Sequence, residues 1–145
     1  MDKHEYIQIK YHDPEIRIEG IEQGDWIDLR AADTYFMQAR TFQLLDLGIS
    51  MKLPDGYEAH IAPRSSTFDK WGIIMVNSVG VVDNSYSGND DRWKFAAYAV
   101  RDTLIEKGSR ICQFRIMKKQ PTIIFIEVDD LGDNNRGGFG STGSN

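Results

Sequence analysis

A single cysteine, Cys112, is all the thiol chemistry this chain has. No intrachain disulfide can form, and a reducing, cytoplasmic setting is the natural expectation. Long apolar runs are missing as well: none approaches the ~20 residues that a membrane span requires. Residues 1–20 carry Asp2, His4, Glu5, Lys10 and Asp13, so no apolar segment of a secretory signal is expected. There is no cationic excess either. The net charge is -5, which argues against a general attraction to nucleic acid or to an anionic membrane. An anionic small molecule would have to be held by local positive groups. The three histidines, His4, His12 and His60, show no metal-ligand spacing and no serine partner. Surface or sheet-face positions are expected for them.

What is present fits one domain. The chain has 145 residues, 41% hydrophobic and 27% charged, and a domain near this size buries roughly two-thirds of its unfolded-chain surface without staples. Short alternating runs predict strands: Ile7, Ile9 and Tyr11; Tyr57, Ala59 and Ile61; Cys112, Phe114 and Ile116. Cys112 reads as a small buried hydrophobe within its run. Residues 123–128, apolar with one charge, read as a strand buried on both sides. Turn signals punctuate these runs at Glu19-Gly20, Gln23-Gly24, Pro54-Asp55-Gly56, Ser87-Gly88-Asn89-Asp90 and Lys107-Gly108-Ser109. The pattern predicts an all-β sandwich or jelly roll. One short helix over about 67–71 is expected, with Ser66 and Asp69 as a capping box and Gly72 as its stop. Residues 131–145 hold five glycines and are expected to be mobile when nothing is bound.

Four segments join phosphate-binding chemistry to turn geometry. Ala62-Pro63-Arg64-Ser65-Ser66 ends a strand and opens the helix, offering N–H groups, hydroxyls and a guanidinium to an anion. On its own it equally suits an ion pair and a cap. Asn77 to Gly88 delivers Asp83 into a turn followed by Tyr86. Such a carboxylate is either a turn-former or a base for water. In Gly108-Ser109-Arg110-Ile111-Cys112-Gln113-Phe114, Gln113 points away from the Cys112 face and is free to hold a phosphate oxygen or a water. The last, Arg136-Gly137-Gly138-Phe139-Gly140-Ser141-Thr142-Gly143, combines charge, hydroxyls and glycines that let backbone N–H groups approach phosphates. It contains a formal G-x-G-x-x-G, but no helix can follow it, so the dinucleotide reading fails.

Taken in order, these segments resemble the five motifs of the trimeric dUTPase family, from residue 25 to the end. Asp25-Trp26-Ile27-Asp28-Leu29-Arg30-Ala31-Ala32 is similar to the first and Pro63-Arg64-Ser65-Ser66 to the second. Residues 80–88, with Asp83 and Tyr86, resemble the third. Residues 108–113 resemble the fourth and 137–143 the fifth. The details look closest to members from Gram-positive bacteria and their phages. The resemblance implies a jelly-roll subunit in a strand-exchanged homotrimer, with three active sites at subunit interfaces. Residues 1–131 would form the single domain and 132–145 a flexible Gly-rich arm closing the site.

It also implies a reaction, the Mg²⁺-dependent hydrolysis of dUTP to dUMP and pyrophosphate, and roles for named residues. Asp83 would be the base for water attacking the α-phosphorus, with Gln113 beside that water and the α-phosphate. Arg64, Ser65 and Ser66 would hold phosphates. Asn77 and backbone groups near Val82 would read the uracil edge, and Tyr86 would lie against the deoxyribose and exclude UTP. Phe139 would cover the uracil, while Arg136, Gly140, Ser141 and Thr142 would reach the substrate from the arm. Mg²⁺ would ride on the triphosphate, with Asp28 reaching it through water.

Departures from the pattern fall at Trp26, where a Gly is usual, at Ser109, where an acid is usual, and at Arg136. The usual arginine position of the fifth motif is Asn134 here. A dCTP deaminase shares the fold and an Arg-Ser-Ser segment but needs a glutamate shortly after the third-motif turn. Residues 86–105 contain none. A purely regulatory binding protein should have lost Asp83 or the arm, and both are present. A regulatory protein partner beside catalysis, as is thought for some phage-type members, stays open.

Overall fold

The computed structural model describes residues 4–20 and 24–138. Among these residues the chain forms β1 (Gln8–Tyr11), β2 (Ile27–Arg30), β3 (Tyr35–Met37), β4 (Phe42–Asp46), β5 (Ile49–Lys52), β6 (Tyr57–Pro63), α1 (Thr67–Trp71), β7 (Ile73–Met75), β8 (Gly80–Val82), β9 (Lys94–Ala99), β10 (Thr103–Ile105) and β11 (Arg110–Lys118). This is the all-β, jelly-roll-like architecture with one short helix that the sequence predicts. The strands make a four-stranded sheet in the order β2-β11-β6-β8 and a three-stranded sheet β4-β9-β7. Two further ribbons are β1-β5 and β3-β10. All the pairings are antiparallel, as short connections allow.

Alternation decides which face of each strand is buried. In β6, Ala59 and Ile61 are buried while Glu58 and His60 stand on the other face. His60 bonds the Glu58 carboxylate, so it is a sheet-face residue as expected. Strand β11 follows the rule through Cys112, Phe114 and Gln113, but its register against β2 shifts between Arg110 and Cys112. That bulge turns both Ile111 and Cys112 inward and sends Arg110 to the same side as Gln113. Burial pushes the Cys112 thiol pKa up, so it is an inert packing group.

The turn at Pro54-Asp55-Gly56 closes with the Tyr57 N–H on the Pro54 carbonyl at 3.2 Å. Its third residue is left-handed, with Gly56 at φ 84°, the position a type II turn reserves for glycine. The helix ends where predicted, Gly72 being left-handed and donating its N–H to the Phe68 carbonyl at 2.7 Å. It begins differently. Ser66 makes no side-chain cap bond, and the predicted capping box does not form. The corner is tied by Thr67 instead. Its buried hydroxyl accepts the Arg64 N–H at 2.8 Å and donates to the Ile111 carbonyl at 2.8 Å.

One core cluster draws residues from both large sheets and the helix. Trp93 meets Phe114 edge to face, with ring centroids 5.2 Å apart. The run at residues 123–128 departs from its sequence reading. It forms no strand in this protomer, and Ile124, Phe125 and Ile126 are 81%, 92% and 81% exposed. An apolar pattern reports that a segment gains by burial, not which chain supplies the cover. After β11 the Lys119 N–H still reaches the Gly56 carbonyl at 2.9 Å. Beyond it, residues 120–138 are exposed. No helix among the described residues is long and apolar enough to cross a membrane.

Because Trp93 and Phe114 join the two large sheets, Phe114→Ala is expected to destabilise the fold by about 3–5 kcal/mol. Urea unfolding at fixed protein concentration measures it. A loss below ~1 kcal/mol would show that this contact does not hold the sheets together.

Candidate active site

The bulge in β11 and the corner after β6 together build a cavity lined by arginines and carboxylates. Its volume is about 450 Å³, and its walls include Trp26, Asp28, Arg64, Ser65, Arg110 and Gln113. Asp28 and Gln113 are direct cross-strand partners and share the face that alternation turns away from the core. Asp28 Oδ1 lies 3.1 Å from Arg64 Nε, and its Oδ2 lies 3.5 Å from Arg110 Nη1. A second Arg64 nitrogen donates to the Arg110 carbonyl at 3.1 Å. One carboxylate thus aligns two guanidinium groups along one wall. Gln113 is held by its own amide, which donates to the Pro63 carbonyl at 3.1 Å, so the side chain is fixed at the cavity edge.

Four of the sequence-predicted residues meet here: Asp28, Arg64, Ser65 and Gln113. Ser66 sits one step away as the helix N-cap and is not part of the cavity wall. Arg110 and Arg30 line the cavity too, and the sequence reading gave neither a role. Only the bulge puts Arg110 on the side of Gln113, three residues on; regular alternation would have set them on opposite faces. Arg30 is paired with Glu19 at 2.7 Å. Trp26, the departure in the first motif, walls the cavity beside Asp25, with the Arg115 guanidinium carbon 5.7 Å from its ring centroid and 2.7 Å between Arg115 and Asp25 carboxylate.

The third-motif residues lie elsewhere. Asn77 is exposed in the turn between β7 and β8. Val82 ends β8, buried, opposite Ala59. Asp83 follows in a turn closed by the Tyr86 N–H on the Asp83 carbonyl at 3.0 Å, and its Oδ1 accepts the Ser85 N–H at 2.8 Å. The Tyr86 hydroxyl donates to the Arg92 carbonyl at 2.8 Å. Burial raises the Tyr86 phenol, aided by the Asp91 and Asp46 carboxylates, so it stays protonated and a donor. Because Val82 pairs with Ala59 while Arg64 follows Pro63, Asp83 and Arg64 stand at opposite ends of β6. Six residues separate Glu58 from Arg64, about 20 Å of strand. One protomer does not bring the two halves together. Arg136 is exposed and outside the cavity wall. Phe139, Gly140, Ser141 and Thr142 lie outside the described residues.

Among the described residues no three His, Cys, Asp or Glu side chains gather into a group that could hold a metal alone. Of the cavity's carboxylates, Glu19 and Asp25 are each paired with an arginine of their own. Asp28, beside Gln113, suits contact through water with a hydrated Mg²⁺ brought by a polyphosphate.

The Ser85 hydrogen bonds hold the Asp83 carboxyl below its ordinary value of 3.8. Asp83 is therefore charged at neutral pH. Its turn adds stability that is present above the ordinary carboxylate range and lost as pH falls through the lowered midpoint. A carboxyl-carbon NMR titration is expected to place the Asp83 midpoint below 3.8, and a midpoint at or above it would show that the turn does not grip the carboxylate.

Comparison with known proteins identifies the family. The family model for dUTPase matches residues 26–143. A prophage-derived deoxyuridine 5'-triphosphate nucleotidohydrolase of Bacillus subtilis is 58% identical over 139 residues, 95% of this chain and 98% of that protein. Among solved structures, a variant dUTPase of Staphylococcus bacteriophage 80alpha, determined with dUpNHpp, superposes with a TM-score of 0.78. It is 18% identical and the match covers 97% of this chain and 100% of that one. A dUTPase from phage phi11 of S. aureus, described with a structural Mg(II) ion, gives a TM-score of 0.75 at 13% identity, over 88% and 99% of the two chains. The two structures establish a shared fold. The family model and the Bacillus relative carry the assignment further: this chain belongs to the dUTPase family of enzymes.

Proposed function

We propose that this protein hydrolyses dUTP to dUMP and pyrophosphate at sites assembled between copies of the chain in a homotrimer. The observation that supports the reading is the split along β6, with an arginine-lined cavity at one end and a charged carboxylate at the other. A second copy that sets its Asp83 turn over the cavity of the first completes a site that neither holds alone. Two exposures support such an assembly. Phe42, Leu44 and Ile74 form an apolar outer face on β4-β9-β7, and the 123–128 run stands uncovered. Exchange of that run between copies would bury it and bring the Gly-rich arm over a neighbouring site.

In the reaction, the Asp83 carboxylate takes a proton from a water as its oxygen attacks the α-phosphorus. The bond to the bridging oxygen breaks and pyrophosphate leaves. Gln113 lies at the cavity edge, where it orients the α-phosphate and the water. Arg64, Ser65 and Ser66 hold phosphate oxygens and stabilise the charge that develops on the leaving group. Asp28 would meet, through water, a Mg²⁺ carried on the triphosphate, and the ion would supply positive charge against the charge on the leaving group. Asn77 and the backbone near Val82 read the uracil edge, and polar groups left unpaired by cytosine give strong discrimination. Tyr86 lies against the deoxyribose. From the arm, Phe139 covers the base while Arg136, Gly140, Ser141 and Thr142 close over the substrate. The buried thiol of Cys112 supports a cytoplasmic location. The presence of both Asp83 and the arm favours an enzyme over a purely binding protein.

Pyrophosphate release with Mg²⁺ tests the chemistry. Wild type is expected to hydrolyse dUTP in preference to dCTP, dTTP and UTP, and Asp83→Asn to lose a factor of ~10² or more. Intact dUTP after incubation with wild type would overturn the assignment. The shared site is tested by mixing two inactive variants, Arg64→Ala and Asp83→Asn, and refolding them together. About one site in four then carries both intact halves, so activity returns. No recovery would place each site within one chain.

A further inference from the structure

Tyr86 is 40% exposed, and a phenol at that exposure would ordinarily rotate freely. Here its hydroxyl is bound to the Arg92 carbonyl at 2.8 Å, so the tilt of the ring depends on where residue 92 lies. We propose that Asp46 and Arg92 are positioning residues for Tyr86, and that their ion pair sets how well the site tells dUTP from UTP. The inference rests on the reading that Tyr86 lies against the deoxyribose.

The chain of contacts runs from the core outward. Trp93, buried, donates its N–H to the Ile49 carbonyl at 2.9 Å and accepts the Leu47 N–H at 2.9 Å. On the other side of residue 92, the Asp91 carbonyl accepts the hydroxyl of Ser50 at 2.8 Å, and Ser50 is only 3% exposed. That hydroxyl has one proton and gives it to Asp91, so the His12 ring nitrogen 2.8 Å away donates to the Ser50 oxygen. Between these anchors the Arg92 guanidinium reaches the Asp46 carboxylate at 2.7 Å.

Asp46 is itself held at three points. Its Oδ1 accepts the Gly48 N–H at 2.8 Å, its N–H donates to the Tyr35 hydroxyl at 2.9 Å, and its carbonyl accepts the Ala32 N–H at 2.8 Å. The loop between Tyr86 and Arg92 is strapped as well, the Asp91 carboxylate accepting the Gly88 N–H at 2.9 Å. A Cβ at Gly88 would come within 2.8 Å of that oxygen. Its neighbours Asp91 and Trp93 are held by backbone and by a buried hydroxyl. The half-exposed Asp46–Arg92 pair is the adjustable link.

A partly exposed ion pair adds little to global stability, so its loss leaves the fold and the Trp93 anchor standing while the peptide plane that carries the Arg92 carbonyl loses its side-chain brace. Room for a 2'-hydroxyl opens. Misplacement on this scale is enough to change rates substantially.

The test is kcat/KM for dUTP and for UTP with wild type, Arg92→Leu, Asp46→Asn, Arg92→Lys, Tyr86→Phe and Tyr86→Ile, with thermal unfolding of each. Arg92→Leu, Asp46→Asn and Tyr86→Phe are expected to lower the dUTP-to-UTP ratio by about tenfold, while Arg92→Lys restores most of it. A change in melting temperature with the ratio held would make the pair merely structural and overturn the inference. Tyr86→Phe removes only the hydroxyl of a surface ring, so it reports even if an Asp46 variant folds poorly. Tyr86→Ile separates the two levels. An unchanged ratio there refutes the placement of Tyr86 on the sugar. A fall there, with none in Arg92→Leu and Tyr86→Phe, refutes the role of Asp46 and Arg92 alone.

Discussion

The pairing of β11 with both β2 and β6 is the constraint on which the rest of the structure depends. It lines up Gln113 with Asp28 on one side and with Ala62 on the other, and it carries the Phe114 ring that meets Trp93 across the core. A regular strand would have done this and no more. The bulge at Ile111 adds one inward residue, and the extra step rotates Arg110 onto the cavity face. The same irregularity presents the Ile111 carbonyl to Thr67. Thr67 then fixes the Arg64 backbone through a hydroxyl satisfied on both sides. Buried polar groups of this kind are costly to leave unpaired and so hold geometry tightly. Strand pairing, bulge and hydroxyl together place two guanidinium groups against one carboxylate.

Much of this was legible in the sequence, for reasons that differ by residue. The face of Gln113 and the burial of Cys112, Ala59 and Ile61 follow from alternation, which sheet geometry enforces. Gly56 and Gly72 were readable as stops because few other residues take their left-handed backbone without strain. Arg64, Asp83 and Tyr86 stood out because phosphate and base chemistry need those groups beside turns. The side of Arg110 was not legible, because a one-residue bulge breaks the alternation that assigns faces. Ser66 looked like a cap by spacing alone, and its neighbour Thr67 took over the corner because its hydroxyl reaches two backbone partners at once. The 123–128 run was read as buried because apolar pattern carries no information about whose surface provides cover.

Charge in the cavity is balanced before any ligand arrives. Arg64 and Arg110 lean on Asp28, and Arg30 on Glu19. A triphosphate therefore does not enter a field of unpaired cations. It has to compete with carboxylates for guanidinium groups already oriented. In the proposed reaction, a hydrated divalent cation on the phosphates would change that competition by giving Asp28 a new partner through water as the phosphates took up the arginines. The oriented arrangement keeps the donors aimed while empty, which lowers the reorganisation needed when phosphate binds.

The two halves of the proposed site are held by unequal means, and the inequality matches what each must do. The phosphate half hangs on a buried hydroxyl and on the longest strand, β11, so it is stiff. Triphosphates are common to all the nucleotides the protein could meet, and a stiff cradle for them costs nothing in selectivity. The half bearing Asp83 and Tyr86 sits in exposed turns, linked to the core through a half-exposed ion pair and a strapped loop. Regions built this way lie toward the low end of local stability. In the proposed reading, discrimination between nucleosides comes from this half, where Asn77, the backbone near Val82 and Tyr86 would meet base and sugar. By the inference drawn above, its accuracy would rest on tethers such as Asp46–Arg92. Selectivity can be tuned there by surface substitutions that leave the core, and the phosphate chemistry at the other end of β6, unchanged.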